Sequence, residues 1–227
     1  MAKANIPVQK NDILDVEFLD LTHEGTAVAK IDGYTLFVPQ GLPGEKAKVK
    51  VLKTKKGYGY GKLLDLKNES KDRVEPSCPI FHQCGGCQLQ HIRYDAQLRH
   101  KRKQVEDALT RIGGLEGVVV HPVIGMEDPW RYRNKAQVPV GEEEAGLVAG
   151  FYQKGSHRII DMDECLIQEE ANDFVVNTVK DVAASLAIPA YDEQSHRGVL
   201  RHIIAKYGRK TKEVMVVIVT KTTELPY

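Results

Sequence analysis

The sequence predicts an α+β protein, with a small five-stranded β-barrel at the amino end followed by a mixed antiparallel-sheet and helix region built around a four-cysteine loop. Three observations predict it. Short apolar runs separated by glycine and proline turns fill residues 10–66. Two stretches with apolar residues at helical spacing follow, interleaved with further strand-like runs. Cys78, Cys84 and Cys87 crowd into ten residues, and Cys165 is the only other cysteine.

In the first region the runs are DILDVEFLDL, TAVAKI, YTLFVP, EKAKVKVLKTKK and GYGYGKLLDL. Ile13, Val16, Phe18 and Leu21 are the expected core positions of the first. Gly25, Asp32-Gly33, Gly41, Pro43-Gly44 and Gly57 supply turn and hairpin chemistry between runs. Five short strands in under 60 residues suggest a closed barrel, because closure removes exposed edges.

A helix is expected from about Tyr94 to Ile112, with Tyr94, Leu98, Val105, Leu109 and Ile112 as its apolar stripe and Gly113-Gly114 as its stop. Strands are expected over VVVHPVIG, YRNKAQVPVG, AGLVAGFYQ and HRIIDM, with the acidic GEEEAG as a hairpin tip. A second helix spans about Gln168 to Leu186, its apolar side given by Ala171, Val175, Val179, Val182 and Leu186. VLRHIIAKYG and KEVMVVIVT read as two closing strands, and TKTTELPY ends the chain with no cap or further element. The expected organisation is a barrel over 1–66, a cysteine loop over 67–93 and a central α+β region over 94–227.

Net charge is +1, so charge must be read locally. No run approaches the roughly 20 apolar residues of a membrane span. MAKANIPVQKND has no apolar signal core, so a cytoplasmic address and no membrane association are expected. A monomer is expected. Stable disulfides are rare in the cytosol, which makes clustered cysteines there metal ligands or catalysts more often than staples.

From Lys46 to Lys62 there are seven lysines and no acidic residue, with Tyr58 and Tyr60 set among glycines. Two readings stand. Lysines blunt an exposed edge strand; or Lys48, Lys50, Lys53 and Lys55 track a phosphate backbone while Tyr58 offers a stacking face. Arg131, Arg133, Lys135 and Gln137 alternate along one expected strand and so share a face, a set suited to phosphate and base contacts or to a solvated sheet surface.

Cys-x5-Cys-x2-Cys places three thiols on one compact loop, where glycines let the backbone wrap tightly. Four cysteines match both tetrahedral zinc and a [4Fe–4S] cluster. Zinc sites usually use two separate Cys-x2–4-Cys knuckles. The three-plus-one division here suits a four-cornered cluster better. A radical enzyme would want Cys-x3-Cys-x2-Cys with one iron open, so redox or radical chemistry is not expected.

These residues resemble a known family. The four cysteines at their spacing, CGGCQLQHIRYDAQLRHKRKQV, WRYRNKAQVPVG, GFYQKGSHRIIDMDECLIQ and GVLRHIIAKYG are similar to the iron–sulfur-containing 23S rRNA (uracil-5-)-methyltransferases. The first 66 residues resemble the TRAM module of those enzymes, a small OB-like RNA-binding barrel. The resemblance implies a [4Fe–4S] cluster held by Cys78, Cys84, Cys87 and Cys165, with 23S rRNA as partner. It implies S-adenosyl-L-methionine as methyl donor and attack of a cysteine thiolate on uracil C6, so that C5 takes the methyl group. A tRNA-modifying relative, or a non-catalytic RNA-binding module with a structural zinc or cluster, are the alternatives.

The Ser-Cys-Asn-Pro motif of the family's catalytic cysteine does not occur in residues 1–227, nor does its Asp-(aromatic)-Tyr-Cys-Gly strand end. GYGYG opens no helix. Neither a catalytic residue nor an S-adenosylmethionine-binding residue is therefore assigned in this chain. The resemblance implies an amino-terminal portion whose carboxy-terminal Rossmann-like domain is missing, and which binds RNA and a cluster but does not methylate.

Overall fold

The computed structural model describes residues 6–225. It divides into two units, the first taking residues up to Pro76 together with Gln88–Gly125, the second Ser77–Cys87 with Met126 onward.

The first unit holds β1 (Ile13–Glu17), β2 (Asp20–Leu21), β3 (Thr26–Ile31), β4 (Tyr34–Pro39), β5 (Lys46–Thr54) and β6 (Tyr58–Leu66), ordered β1-β5-β6-β4-β3-β2. Six strands replace the expected five because the first run is broken. At the break the Phe18 N–H donates to the Glu45 carbonyl (2.9 Å) and the Leu19 N–H to the Val28 carbonyl (2.8 Å). One half of the run thus pairs with β5 and the other with β3. The strand order begins and ends on the same segment, which closes the sheet and removes its edges. Period-two alternation points Leu14, Val16 and Phe18 inward, and Ile13, expected in the core, is 59% exposed. Asp32 and Gly33 both have positive φ (48° and 83°) in the two-residue turn between β3 and β4, the conformation that matches the twist of a hairpin.

Inside the barrel, Phe18, Leu36, Val38, Val49 and Val51 are fully buried. So is Glu45, whose carboxylate accepts bonds from Arg73 Nε (2.6 Å) and Nη2 (2.8 Å), the Leu42 N–H (2.8 Å) and the Ser70 N–H (3.1 Å). Arg73 Nη2 also donates to the Gln40 carbonyl (2.7 Å). This ion pair ties the segment after β6 to the β4–β5 turn.

The first helix, α1 (Tyr94–Asp107), is continued by a π-helical turn (Ala108–Ile112), so the expected span is helical but its last turn is wider. Its packing face differs from the expected stripe: Ala96 is buried, whereas Val105 and Ile112 are exposed. Ala96 joins the barrel core, and the hydrogen bonds that α1 makes to the barrel come from polar residues. Gln104 Nε2 donates to the Thr22 carbonyl (3.2 Å) and Lys103 bonds Asp20 (2.8 Å). The expected strand VVVHPVIG is irregular chain, with Val118, Val119 and Ile124 exposed.

The second unit is a five-stranded antiparallel sheet, ordered β11-β10-β7-β8-β9, formed by β7 (Lys135–Glu143), β8 (Gly146–Tyr152), β9 (Ile159–Asp161), β10 (Leu200–Tyr207) and β11 (Val214–Thr220). Helix α2 (Glu170–Ser185) covers one face, where Val138, Val140, Ala149, Val176, Ile203 and Ala205 make the core. Asn172, Asp173, Val175, Val176 and Ala183 are its buried residues. Val182 and Leu186, expected in the core, are exposed. Edge strand β11 exposes Val214 through Ile218 on both faces. Of the terminal TKTTELPY, Pro226 and Tyr227 lie outside the described residues. No helix among the described residues is long and apolar enough to cross a membrane.

Burial raises the Glu45 carboxyl, but Arg73 and the two N–H donors outweigh it and hold it below its ordinary value of 4.5. The pair therefore contributes stability that is complete above that value and is lost as pH falls through the depressed one. Arg73→Ala leaves the carboxylate buried without its cation and is expected to cost about 3–5 kcal/mol. Urea unfolding at pH 7 and pH 3 checks this: the gap between wild type and variant narrows at the lower pH.

Candidate nucleic-acid interface and cysteine turn

On the first unit the surface follows from the alternation of β6. Gly59 and Gly61 face the barrel interior. A Cβ on Gly59 would stand 2.9 Å from the Lys53 carbonyl and 3.3 Å from Leu36, and one on Gly61 would stand 3.1 Å from Val38. A side chain is excluded at Gly59 and tightly crowded at Gly61, so GYGYG is a strand whose tyrosines project outward. Tyr58 and Tyr60 meet Phe37 of β4 in a three-ring cluster, with centroid separations of 5.7, 5.7 and 6.1 Å. Below it, Tyr34 donates its hydroxyl to the Lys55 and Tyr58 carbonyls and accepts the Lys55 N–H (3.2 Å), fixing the β5–β6 turn.

The lysines sort by neighbour. β5 is paired on both sides, by β1 from Ile13 to Glu17 and by β6. Lys48 and Lys50 are therefore on an interior strand, and blunting an edge does not explain them. Lys48 lies between Asp15 on β1 and Asp65 on β6 in register. The Lys67 ion pair (2.7 Å), with Lys48 adding to it, keeps the Asp15 carboxyl below the usual carboxylate range. Lys50 is opposite Lys62, and Lys53 is opposite Tyr60. Lys55 is exposed at the turn beside Tyr58. The positive field that no acid offsets in register is therefore Lys50, Lys62, Lys53 and Lys55, next to the rings. Sequence reasoning passed over Phe37, whose place in the cluster comes from the parallel pairing of β4 with β6.

Along α1 the basic face is largely neutralised. Arg99 pairs with Asp95 (2.6 Å) and Asp72 (2.9 Å), Arg102 with Glu106 (2.8 Å), Lys103 with Asp20 and Asp107, and Arg111 with Asp107 (3.3 Å). Such pairs make it a solvated ionic surface.

In the second unit, Arg131, Arg133, Lys135 and Gln137 do not act as one row. Arg131 precedes β7 at φ 50° and turns inward. Its Nη1 donates to the carbonyls of Cys165 (2.9 Å) and Gln168 (3.1 Å) and to Asp173 (2.7 Å), and its Nη2 to Glu164. A guanidinium spends its planar donors best on several fixed acceptors, and here they are the turn that carries Cys165. Arg133 is exposed and forms a parallel bridge with Gln168. Lys135 and Gln137 are exposed on β7, on the sheet face opposite α2, with Lys135 beside Lys206 of β10.

The loop of Cys78, Cys84 and Cys87 is stitched to the end of β8. The Gly85 N–H donates to the Tyr152 carbonyl (3.0 Å), and the Lys154 N–H to the Gln83 carbonyl (3.0 Å). A Cβ on Gly85 would meet that Tyr152 carbonyl at 3.0 Å. Gly86 brings its N–H to the Cys84 sulfur (3.3 Å). Cys84 and Cys165 are buried. Burial raises both thiols; the Gly86 N–H opposes this at Cys84, while Cys165 and Cys78 act on it through space. At Cys165 the Ile167 N–H and the Gln168 amide oppose burial. Asp173 accepts the Cys165 N–H (3.2 Å); burial raises its carboxyl, and that bond and Arg131 counter the rise.

Among the described residues, no group of three or more His, Cys, Asp or Glu side chains is arranged as a ready metal cage. The donor chemistry nonetheless fits a thiolate-ligated group. All four cysteines belong to one unit, Cys84 senses two of the others, and N–H donors are aimed at sulfur.

Residues 7–64 match the TRAM domain family. The chain is 61% identical, over all 227 residues, to an uncharacterized RNA methyltransferase of Halalkalibacterium halodurans, covering 50% of that protein. It is 54% identical over 224 residues to one of Bacillus cereus, covering 99% of this chain and 49% of that protein. The crystal structure of Pyrococcus abyssi tRNA (uracil-54, C5)-methyltransferase in complex with S-adenosyl-L-homocysteine is similar over 93% of this chain and 47% of that one, with 28% identity and a TM-score of 0.70. The chain spans about half the length of the curated relatives it matches.

The structural similarity corrects the expected fold class. A fold defined by a missing carboxy-terminal Rossmann-like domain does not stand, because the two units present match a solved methyltransferase over nearly the whole chain. Sequence motifs that do not occur in a chain say nothing about its own architecture. The chain carries a TRAM domain at residues 7–64 and is similar from end to end to proteins named RNA methyltransferases.

Proposed function

We propose that this chain binds RNA for an S-adenosylmethionine-dependent RNA (uracil-5-)-methyltransferase that forms 5-methyluridine in 23S rRNA in the cytoplasm. The observation that carries the reading is the outward ring cluster of Phe37, Tyr58 and Tyr60, bordered by lysines without acidic cross-strand partners, on a TRAM barrel. Rings of this kind stack on bases of any identity, and the lysines track the backbone. In the second unit, Arg133, Lys135 and Gln137 add exposed donors. The S-adenosyl-L-homocysteine in the solved neighbour is the demethylated form of the donor, which supports S-adenosylmethionine as the methyl source.

Cys78, Cys84, Cys87 and Cys165 would hold a [4Fe–4S] cluster. Bound there, it would supply a rigid covalent cross-link and no redox step. The chain's own residues prepare for it: Arg131 fixes the Cys165 turn, Gly85 lets the loop reach β8, and Gly86 directs an N–H at sulfur. The domains read as a barrel over 1–66, a cluster loop over 67–93 and a central region over 94–227.

That neighbour, a tRNA enzyme, favours a second reading in which the substrate is tRNA. Disrupting the gene and quantifying nucleosides by mass spectrometry decides between them. Loss of 5-methyluridine from 23S rRNA with tRNA unchanged is expected; loss from tRNA alone supports the second reading; loss from neither overturns both.

Replacing Tyr58 and Tyr60 together by Ala is expected to weaken binding of single-stranded RNA by roughly tenfold or more, at about 1–3 kcal/mol for each stacked base. Replacing Lys50, Lys53 and Lys55 by Gln should lower affinity and flatten its salt dependence, whereas Lys48→Gln alone should do little, and fluorescence anisotropy across a salt series measures both. Cys87→Ser is expected to lose the visible absorbance and iron content of anaerobically purified protein. Stoichiometric zinc in a colourless wild type would instead support a structural zinc.

A further inference from the structure

The sheet face opposite α2 carries a cleft of about 650 Å³ that the functional reading does not use. Its floor is apolar, with Pro139 and Gly141 of β7 and Ile159 of β9, and it is walled by the segment that carries Tyr191 and Glu193. Along β7, alternation puts Lys135 and Gln137 on the same face as Pro139 and Gly141, so the exposed donors of that strand lead directly to the cleft. Their partners on β10 are Lys206, Ile204 and, at Pro139, His202.

Two aromatic platforms flank it. Arg201 sets its guanidinium carbon 4.6 Å from the centroid of the Tyr191 ring. The Tyr152 ring lies 5.4 Å from that of His157, tilted by 31°. Glu142 and Glu193 bring carboxylates to the same space, and Glu193 stands 3.4 Å from His157. Asp192 is engaged by the Ser195 N–H (2.7 Å). A lining that sets carboxylates against one arginine is wrong for a phosphate. It is right for a flat, apolar ring whose edge carries N–H donors, stacked on an aromatic or guanidinium plane.

We propose that this cleft is a nucleobase subsite that takes one unstacked guanine of the RNA, its ring against Tyr191 and its paired N1–H and N2–H donors on the Glu193 carboxylate. Guanine is the base that offers two adjacent donors to the two oxygens of one carboxylate, and uracil's single N–H cannot match them. Electrostatics agree with a desolvated, convergent site. Burial and Glu193 raise the Tyr152 hydroxyl, with Arg201 opposing, and burial and Arg201 lower His202, with Glu193 opposing. The inference deepens the RNA-binding reading and rests on it.

Titration of the 227-residue chain with GMP, AMP, CMP, UMP and inorganic phosphate, followed by isothermal calorimetry and amide NMR shifts, tests the assignment. GMP is expected to bind about tenfold tighter than UMP and to shift the signals of Tyr191, Glu193 and Arg201. Glu193→Gln and Tyr191→Ala should each weaken GMP by about tenfold, without changing the melting temperature or the affinity for an oligouridine held by the barrel. Equal binding of all four nucleotides, competition by phosphate alone, or GMP binding unchanged in both variants overturns it. A chain that binds oligouridine while the cleft stays silent refutes only this subsite; a chain that binds no RNA refutes the functional reading as well.

Discussion

The interior of the amino-terminal barrel has no room for a side chain at Gly59 and little at Gly61, and the outer surface depends on that constraint. Leu36 and Val38 fill the space opposite, and the backbone of β5 closes it from the side. With both inward positions reduced to glycine, β6 lies close against its neighbours. The alternate positions then carry Tyr58 and Tyr60 at a spacing of two residues, near enough to share Phe37. Core packing and ring surface are therefore one arrangement seen from two sides. A bulkier residue at Gly59 would push β6 away from the Lys53 carbonyl and separate the rings without touching them.

The second unit uses a different device to hold irregular chain. The Cys165 turn has few ladder hydrogen bonds of its own, and Arg131 replaces them with one fork that reaches two carbonyls and two carboxylates. Its positive φ carries strain of order 1–2 kcal/mol, a cost that these bonds offset. The cysteine loop is fixed differently, by backbone bonds to the end of β8, where Gly85 leaves room for the Tyr152 carbonyl. Two separate supports thus bring Cys84 and Cys165 within electrostatic reach of each other across about 80 residues of sequence.

Legibility in the sequence followed the range of the interaction. The β3–β4 hairpin could be read from Asp32-Gly33, and the β7–β8 tip from GEEEAG, because turn chemistry is local. Both helices could be placed by periodicity, and Val175 and Val179 of α2 do pack on the core, but Val182 and Leu186 of α2 and Val105 and Ile112 of α1 do not. Helix α1 meets the barrel through Ala96, which lies outside the expected stripe, and through Gln104 and Lys103, polar residues that no hydrophobic stripe reveals. VVVHPVIG has strand composition and finds no partner strand, so it stays irregular. The fate of Arg131 was hidden for the same reason: its acceptors lie more than 30 residues away. Alternation grouped it with Lys135 and Gln137, which do share a face.

The break at Phe18–Leu19 also sets the order in which the barrel can assemble. The β3–β4 hairpin joins residues a few positions apart and forms on the microsecond scale of such elements. Pairing β1 with β5 must bring Ile13 to Lys50, and the parallel β4–β6 ladder must wait until β5 has crossed between them in sequence. Loop-closure entropy makes these non-local steps slow. During synthesis the barrel stays open until Leu66 has left the ribosome, and the aromatic surface comes into being only with that final closure. A nascent chain shorter than this presents the lysines of β5 without the tyrosines of β6, so its positive charge is on display before its ring cluster exists.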